Sequence, residues 1–195
     1  MGEKKADELH WRETYFIVFP EHERPTLDAV EHMLGDASKR FQLKNLSADD
    51  QGLFQSVLVE SDDDHAAVEV SFEIGEAVVE QNLEFAKQMQ DHVPADQLQQ
   101  LMLADARLEV AHFERCAAEA TSQPVSERKS TRRSLDLNEA FSDSAYADDS
   151  GDDFDSDLGD PEFEMLDPTC LLTVVDALAA LTDGLTIDPA AGELV

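Results

Sequence analysis

The chain has 195 residues, with 44 Asp and Glu against 14 Lys and Arg, which gives a formal net charge of −30. Its hydrophobic share of 42% suffices for a core and excludes a wholly disordered chain. The acidity argues against direct binding to a nucleic-acid backbone, because phosphates repel a negative surface, and no run approaches the ~18 apolar residues of a membrane helix.

Strand and helix signals follow each other closely in the first part of the chain. The β-branched and aromatic run 14–19 predicts a buried strand. A helix that ends near Gly35 is predicted by four apolar residues at helical spacing: Leu27, Val30, Met33 and Leu34. The runs 41–46 and 53–60 predict the second and third strands, which a turn separates.

The clearest strand signal is the alternation over 66–74. One face would carry the apolar set Ala66, Val68, Val70, Phe72 and Ile74. The other face would carry Ala67, Glu69, Ser71 and Glu73. This pattern predicts a sheet with one face packed and one face toward water.

Two helices are predicted after this strand, one over 76–89 and one that begins at Pro94 and runs toward residue 120. The resulting element order is β-α-β-β-β-α-α. Three successive strands joined by short turns form an antiparallel meander. We therefore expect the α+β class, as a two-layer sandwich of a mainly antiparallel four-stranded sheet with helices on one face.

The charge distribution divides the chain into segments. Residues 121–133 hold four basic side chains and one acidic side chain, whereas residues 134–195 hold 17 acidic side chains and no basic ones. Such uncompensated charge resists collapse. We expect a flexible amino terminus 1–12, an α+β domain 13–120, a basic linker 121–133, an acidic disordered segment 134–160 and a carboxy-terminal helical segment 161–195.

The carboxy-terminal helix is the strongest candidate for a binding element. Its apolar stripe comprises Leu171, Leu172, Val174, Val175, Leu178 and Leu181. A helix of this length is marginal alone in water, so the stripe requires a surface to cover it. Two alternatives stay open at this point: the stripe docks on the α+β domain, or it inserts into a groove on a partner.

Motifs for metal binding and catalysis are weak. The spacing of Asp153, Asp155, Asp157 and Glu164 resembles a calcium-binding loop, but Leu158 stands where such a loop requires glycine. Glu109, His112 and Cys116 would share one face of the predicted third helix. An acidic turn is formed by Asp62, Asp63, Asp64 and His65. None of these patterns is complete, so no cofactor, metal or catalytic residue is assigned.

The remaining signals concern location. The first ten residues contain no apolar stretch typical of a secretory signal, so we expect a cytoplasmic protein with reduced thiols at Cys116 and Cys170. The basic run of Arg128, Lys129, Arg132 and Arg133 is either an anion-binding patch or a solvated linker.

Two functional hypotheses follow. The first is a non-enzymatic adaptor or chaperone-like protein that binds a protein partner through its acidic arm and terminal helix. The negative charge of the arm favours a basic partner. The second is a small-ligand or catalytic domain that uses Glu69, Glu73 and His112 in a helix-sheet cleft. Under the first hypothesis, deletion of residues 134–195 would abolish partner capture and leave the domain folded. Adaptation to a salt-rich cytoplasm is a third explanation of the acidity alone.

Overall fold

A computed structural model describes residues 8–116 and 168–195. The predicted basic linker 121–133 and acidic segment 134–160 lie outside the described residues, and the division into five segments stays a prediction. The first strand begins at Glu8, inside the stretch that was expected to be a flexible amino terminus. Among the residues described, no helix combines the length and apolar character needed to cross a bilayer.

The described residues form four helices, seven strands and a short 3-10 turn at Glu21–Glu23. The helices are α1 (Leu27–Ala37), α2 (Glu76–Met89), α3 (Ala95–Leu103) and α4 (Thr169–Thr182). The strands are β1 (Glu8–Phe19), β2 (Phe41–Ala48), β3 (Phe54–Ser61), β4 (Ala66–Ile74), β5 (Ala106–Cys116), β6 (Leu185–Asp188) and β7 (Glu193–Leu194). The α+β class and the carboxy-terminal helix are therefore confirmed.

All seven strands join one antiparallel sheet in the order β2-β3-β4-β5-β1-β6-β7. The predicted meander of β2, β3 and β4 is confirmed, with Val59 opposite Val68 in the β3–β4 pair. β5 lies between β4 and β1. It therefore joins the β2-β3-β4 meander to the first strand of the chain.

The prediction of a four-stranded sheet was wrong, because the region 94–120 was interpreted as one helix. Within the described part of that region, 94–116, the helix covers 95–103, and 106–116 forms β5. The even-numbered residues Ala106, Leu108, Val110 and His112 are buried, whereas Glu109, Ala111 and Phe113 between them are half-buried. This period of two is typical of a strand. β6 and β7, which follow α4, supply the other two missing strands.

Helices pack on both faces of the sheet, which corrects the predicted two-layer arrangement. Ile17 and Phe19 belong to a core cluster with side chains of α1 and α4. Phe16 and Val18, their neighbours on β1, belong to a second cluster with side chains of α2 and α3. Because successive strand residues point to opposite faces, the sheet has an α1/α4 face and an α2/α3 face.

α2 is held in place at its start and near its middle. Gly75, with φ of 126°, joins β4 to α2 in a backbone conformation that favours glycine. The buried Asn82 donates a hydrogen bond from Nδ2 to the carbonyl oxygen of Ala104, at 3.0 Å. This bond ties α2 to the carboxyl end of α3. The helix pair therefore covers a defined part of the sheet and leaves the rest accessible.

Candidate protein-binding surface

The structure places the predicted terminal stripe largely inside the chain's own core. Leu171, Val174, Val175 and Leu178 are at most 3% exposed and pack in the cluster with α1 and the sheet. Leu181 is half-buried, and Leu172 is 41% exposed. Partner binding by these six residues stays a prediction, and four of them are already covered by this chain.

The three residues of the predicted helix-sheet cleft do not come together. His112 stands opposite Val68 in the β4–β5 pair and is buried on the α1/α4 face. Its Nδ1 lies 3.3 Å from Oε1 of Glu13. Glu69 and Glu73 point to the α2/α3 face, because they alternate with Val68 along β4. The sheet itself therefore separates His112 from the two carboxylates.

The other sequence candidates are also distributed differently from the predictions. Glu109 and His112 lie on opposite faces of β5, because residues three apart on a strand point in opposite directions. In the acidic turn, Asp62 accepts hydrogen bonds from Gln42 and Arg115, and Asp64 accepts one from Ser61. The calcium-like spacing at 153–164 and the basic run at 128–133 lie outside the described residues. Within 8–116 and 168–195, no group of three metal-ligating side chains assembles.

One half of the α2/α3 face is left accessible. On the α1/α4 face, α1 packs on β2 and β3. On the α2/α3 face, the two helices contact β4, β5, β1 and β6. The side chains of β3, β4 and β5 in this half are termed the open sheet face: Leu58, Ala67, Glu69, Ser71, Glu109, Ala111 and Phe113. Glu69 is exposed, Ala67 is buried, and the other five are half-buried. A shallow groove of about 250 Å³ lies there, lined in part by Leu58, Glu69 and Phe113.

Carboxylates dominate one side of this surface. Glu69 stands opposite Ala111, Glu109 opposite Ser71, and Glu73 opposite Arg107. Arg107 forms an ion pair with Glu73, in which its Nη2 lies 2.6 Å from Oε2 of Glu73. Within the described parts of the chain, neither Glu69 nor Glu109 forms an ion pair. The surface therefore carries negative charge that this chain's described cations compensate only in part.

The environment changes the proton affinity of Glu109. Burial raises the pKa of its carboxyl, and the negative charges of Glu73 and Glu69 raise that pKa further, while Arg107 partly offsets them. The pKa of Glu109 therefore lies above the ordinary value because the charged form is disfavoured. A cation placed over this surface would relieve that penalty.

Apolar side chains border the carboxylates. Trp11 of β1 stands opposite Phe113 and is 62% exposed, and Leu9 is 43% exposed. The indole Nε1 of Trp11 donates to Oγ1 of Thr14 at 3.1 Å, which orients the ring. Leu58 and Phe113 are half-buried beside the buried Ala67. Aromatic side chains are enriched in protein-binding surfaces.

The cations at the far end of this face are already engaged. Arg115 pairs with Glu60 and with Asp62, and Nζ of Lys44 lies 2.5 Å from Oε2 of Glu60. Burial opposes ionisation of Glu60, but hydrogen bonds from Lys44 and Arg115 bring its pKa below the ordinary value. Because these charges compensate each other, the unbalanced part of the surface is the region around Glu69 and Glu109.

Substitution of Glu109 by Gln is expected to stabilise the folded protein at about pH 7. The folded state keeps the Glu109 proton at pH values where the unfolded chain has lost it, so the free energy of unfolding falls as pH rises from about 4.3 through the raised pKa. The gain should shrink below the ordinary glutamate pKa. Urea unfolding at about pH 7 and about pH 4 checks this, with Glu31→Gln at an exposed site as the control. A Glu109→Gln protein less stable than wild type at neutral pH would contradict it.

Comparisons of the chain with protein-family models, with curated protein sequences and with solved structures found no match.

Proposed function

We propose that this protein is a non-enzymatic interaction protein that binds a positively charged protein partner on the open sheet face. The observation that carries the proposal is the pair Glu69 and Glu109, two carboxylates on the open sheet face that form no ion pair with any described cation. Uncompensated charge at a surface speeds the encounter with a partner of opposite sign and orients it.

The acidity of the whole chain supports the sign of the partner. With a formal net charge of −30, the long-range field attracts cationic proteins and repels anionic ones. The acidic segment 134–160 and the basic linker 121–133 keep the roles expected from the sequence, an encounter-promoting arm and a connection. Adjacent apolar side chains, Trp11 and Phe113, provide the desolvated contact that charge alone does not supply.

The proposed contact surface differs from the terminal stripe. Leu171, Val174 and Leu178 are packed against the sheet and α1, so release of α4 to a partner would expose a large part of the core. The open sheet face needs no such rearrangement. The alternative of a ligand or catalytic cleft is less well supported, because His112 lies across the sheet from Glu69 and Glu73.

A matched pair of double variants tests the proposal. Tagged full-length chain captures proteins from a lysate, the captured proteins are identified, and the most abundant one is purified for affinity measurements. Glu69→Gln with Glu109→Gln is expected to weaken its binding about tenfold, which corresponds to about 1.4 kcal/mol.

The control is Glu31→Gln with Asp176→Asn, which removes the same charge from exposed positions on α1 and α4, the helices of the opposite face. We expect this control to change affinity less than about twofold, and we expect the captured partner to carry net positive charge. Equal weakening by both double variants would contradict a localised surface.

A further inference from the structure

The helical layer on the α2/α3 face is incomplete. On the α1/α4 face, α1 packs on β2 and β3 while α4 contacts β1, β4 and β6, so both halves of the sheet are covered. On the α2/α3 face, α2 contacts β4 and β5, and α3 contacts β1 and β6. The half over β3 and β4 is where Leu58 and Glu69 remain accessible. The vacant place lies beside α2.

The surface there has the relief that an apposed helix needs. Small side chains, Ala67, Ser71 and Ala111, lie at its centre on β4 and β5. The larger apolar side chains Leu58 and Phe113 flank them. Extended peptides add to sheet edges, where backbone hydrogen bonds are free, whereas a sheet face is covered by the apolar stripe of a helix.

We infer that the open sheet face takes a basic amphipathic helix of a partner protein, which lies beside α2 and completes the layer. Its apolar stripe would cover Leu58 and Phe113, and its cations would reach Glu69 and Glu109. This inference rests on the proposed function and names the kind of partner. Charge complementarity selects a cationic helix over an acidic one, including any acidic segment of this chain or a second copy of it.

The probe is a synthetic peptide of about 18 residues, built from leucine, lysine and alanine so that leucines form one helical stripe. A second peptide has the same composition in scrambled order, and a third replaces lysine with glutamine. Each is titrated into the full chain by calorimetry, and circular dichroism follows peptide helicity. The striped peptide should bind about tenfold more tightly than the scrambled one and become helical on binding.

Leu58→Glu separates face docking from plain charge attraction. It makes the chain more negative, so charge attraction alone would strengthen binding. Loss of the apolar contact should instead lower the affinity for the striped peptide about tenfold. Leu172→Glu, at an exposed leucine of α4, adds the same charge on the opposite layer and should not weaken binding. Ala111→Glu, at a half-buried position of the open sheet face, repeats the test should Leu58→Glu fail to fold.

The outcomes distinguish the two proposals. Equal affinity of the striped and scrambled peptides, or tighter binding to Leu58→Glu, would overturn the helix inference and leave the cationic partner in place. Equal affinity of the lysine and glutamine peptides would overturn the proposed function itself. A gain in affinity when the cations Arg128, Lys129, Arg132 and Arg133 are replaced by Gln, larger per charge removed than the gain from replacing the exposed Lys39, Arg40 and Lys87 by Gln, would assign the surface to the chain's own basic run and also overturn the partner assignment.

Discussion

Deletion of residues 168–195 will unfold the α+β domain, which replaces the expectation from the sequence that the domain stays folded without residues 134–195. The deletion removes α4 and β6, and with them the buried Leu171, Val174, Leu178 and Ile187. Full burial of one such side chain stabilises a fold by roughly 1.5–3 kcal/mol. The loss of four is therefore comparable with the whole stability of a typical domain, which is about 5–15 kcal/mol. Circular dichroism should show no cooperative thermal transition in the truncated protein.

Three further variants locate this effect. Deletion of 134–160 alone should leave the melting temperature within a few degrees of the intact chain, because the buried side chains that form the described core all lie in 8–116 and 168–195. Leu178→Ala should cost about 3 kcal/mol, whereas Leu172→Ala, at a 41% exposed site, should cost less than about 1 kcal/mol. A truncated protein that melts cooperatively at the wild-type temperature would refute this assignment of α4.

Arg107→Ala is the point substitution with the next largest expected effect. Arg107 is 8% exposed, its Nε donates to Oε2 of Glu73 at 2.7 Å, and its Nη1 donates to Oε1 of Gln81 at 2.6 Å. Its guanidinium carbon lies 3.9 Å from the ring centroid of Phe16. Charge-assisted hydrogen bonds and a cation–π contact of this kind together contribute about 3 kcal/mol.

The expected result is therefore a loss of about 3 kcal/mol in the free energy of unfolding, measured by urea denaturation. Arg107→Lys should lose an intermediate amount, because lysine keeps the charge but not the planar array of donors. Stability of Arg107→Ala within about 0.5 kcal/mol of wild type would show that these contacts are not formed in solution.

The first half of the fold follows closely from local patterns. Strand 66–74 and helix 76–89 were predicted with the bounds that the structure has for β4 and α2. Each of these segments has one dominant period, and Gly75 separates them with a conformation that few other residues adopt. Sequence reasoning succeeds where the apolar period and the break between elements agree.

The region after Pro94 combines conflicting signals. Leu98, Leu101 and Leu108 fit a helical spacing, and the true break at Ala104 and Asp105 carries neither glycine nor proline. What decides for a strand is tertiary: 106–116 pairs with β4 on one side and β1 on the other. Pairing with both neighbours overrides weak local preference.

The candidate surface could not be predicted because it depends on that same strand. Glu69 and Glu73 were identified as a polar strand face, but Glu109 joins them only when 106–116 is extended between β4 and β1. Trp11 was assigned to a flexible terminus, whereas it lies within β1 opposite Phe113. The one available signal was the alternation of the polar Arg107 and Glu109 with the apolar Ala106, Leu108 and Val110 along the chain.

The most direct test of the binding surface uses the chain's single tryptophan. Trp11 is 62% exposed beside Phe113, so its fluorescence reports solvent at the border of the open sheet face. Saturation with the striped lysine peptide, which contains no tryptophan, should shift the emission to shorter wavelength and protect the indole from a soluble quencher. Calorimetrically confirmed binding that leaves both the emission and the quenching of Trp11 unchanged would contradict the account.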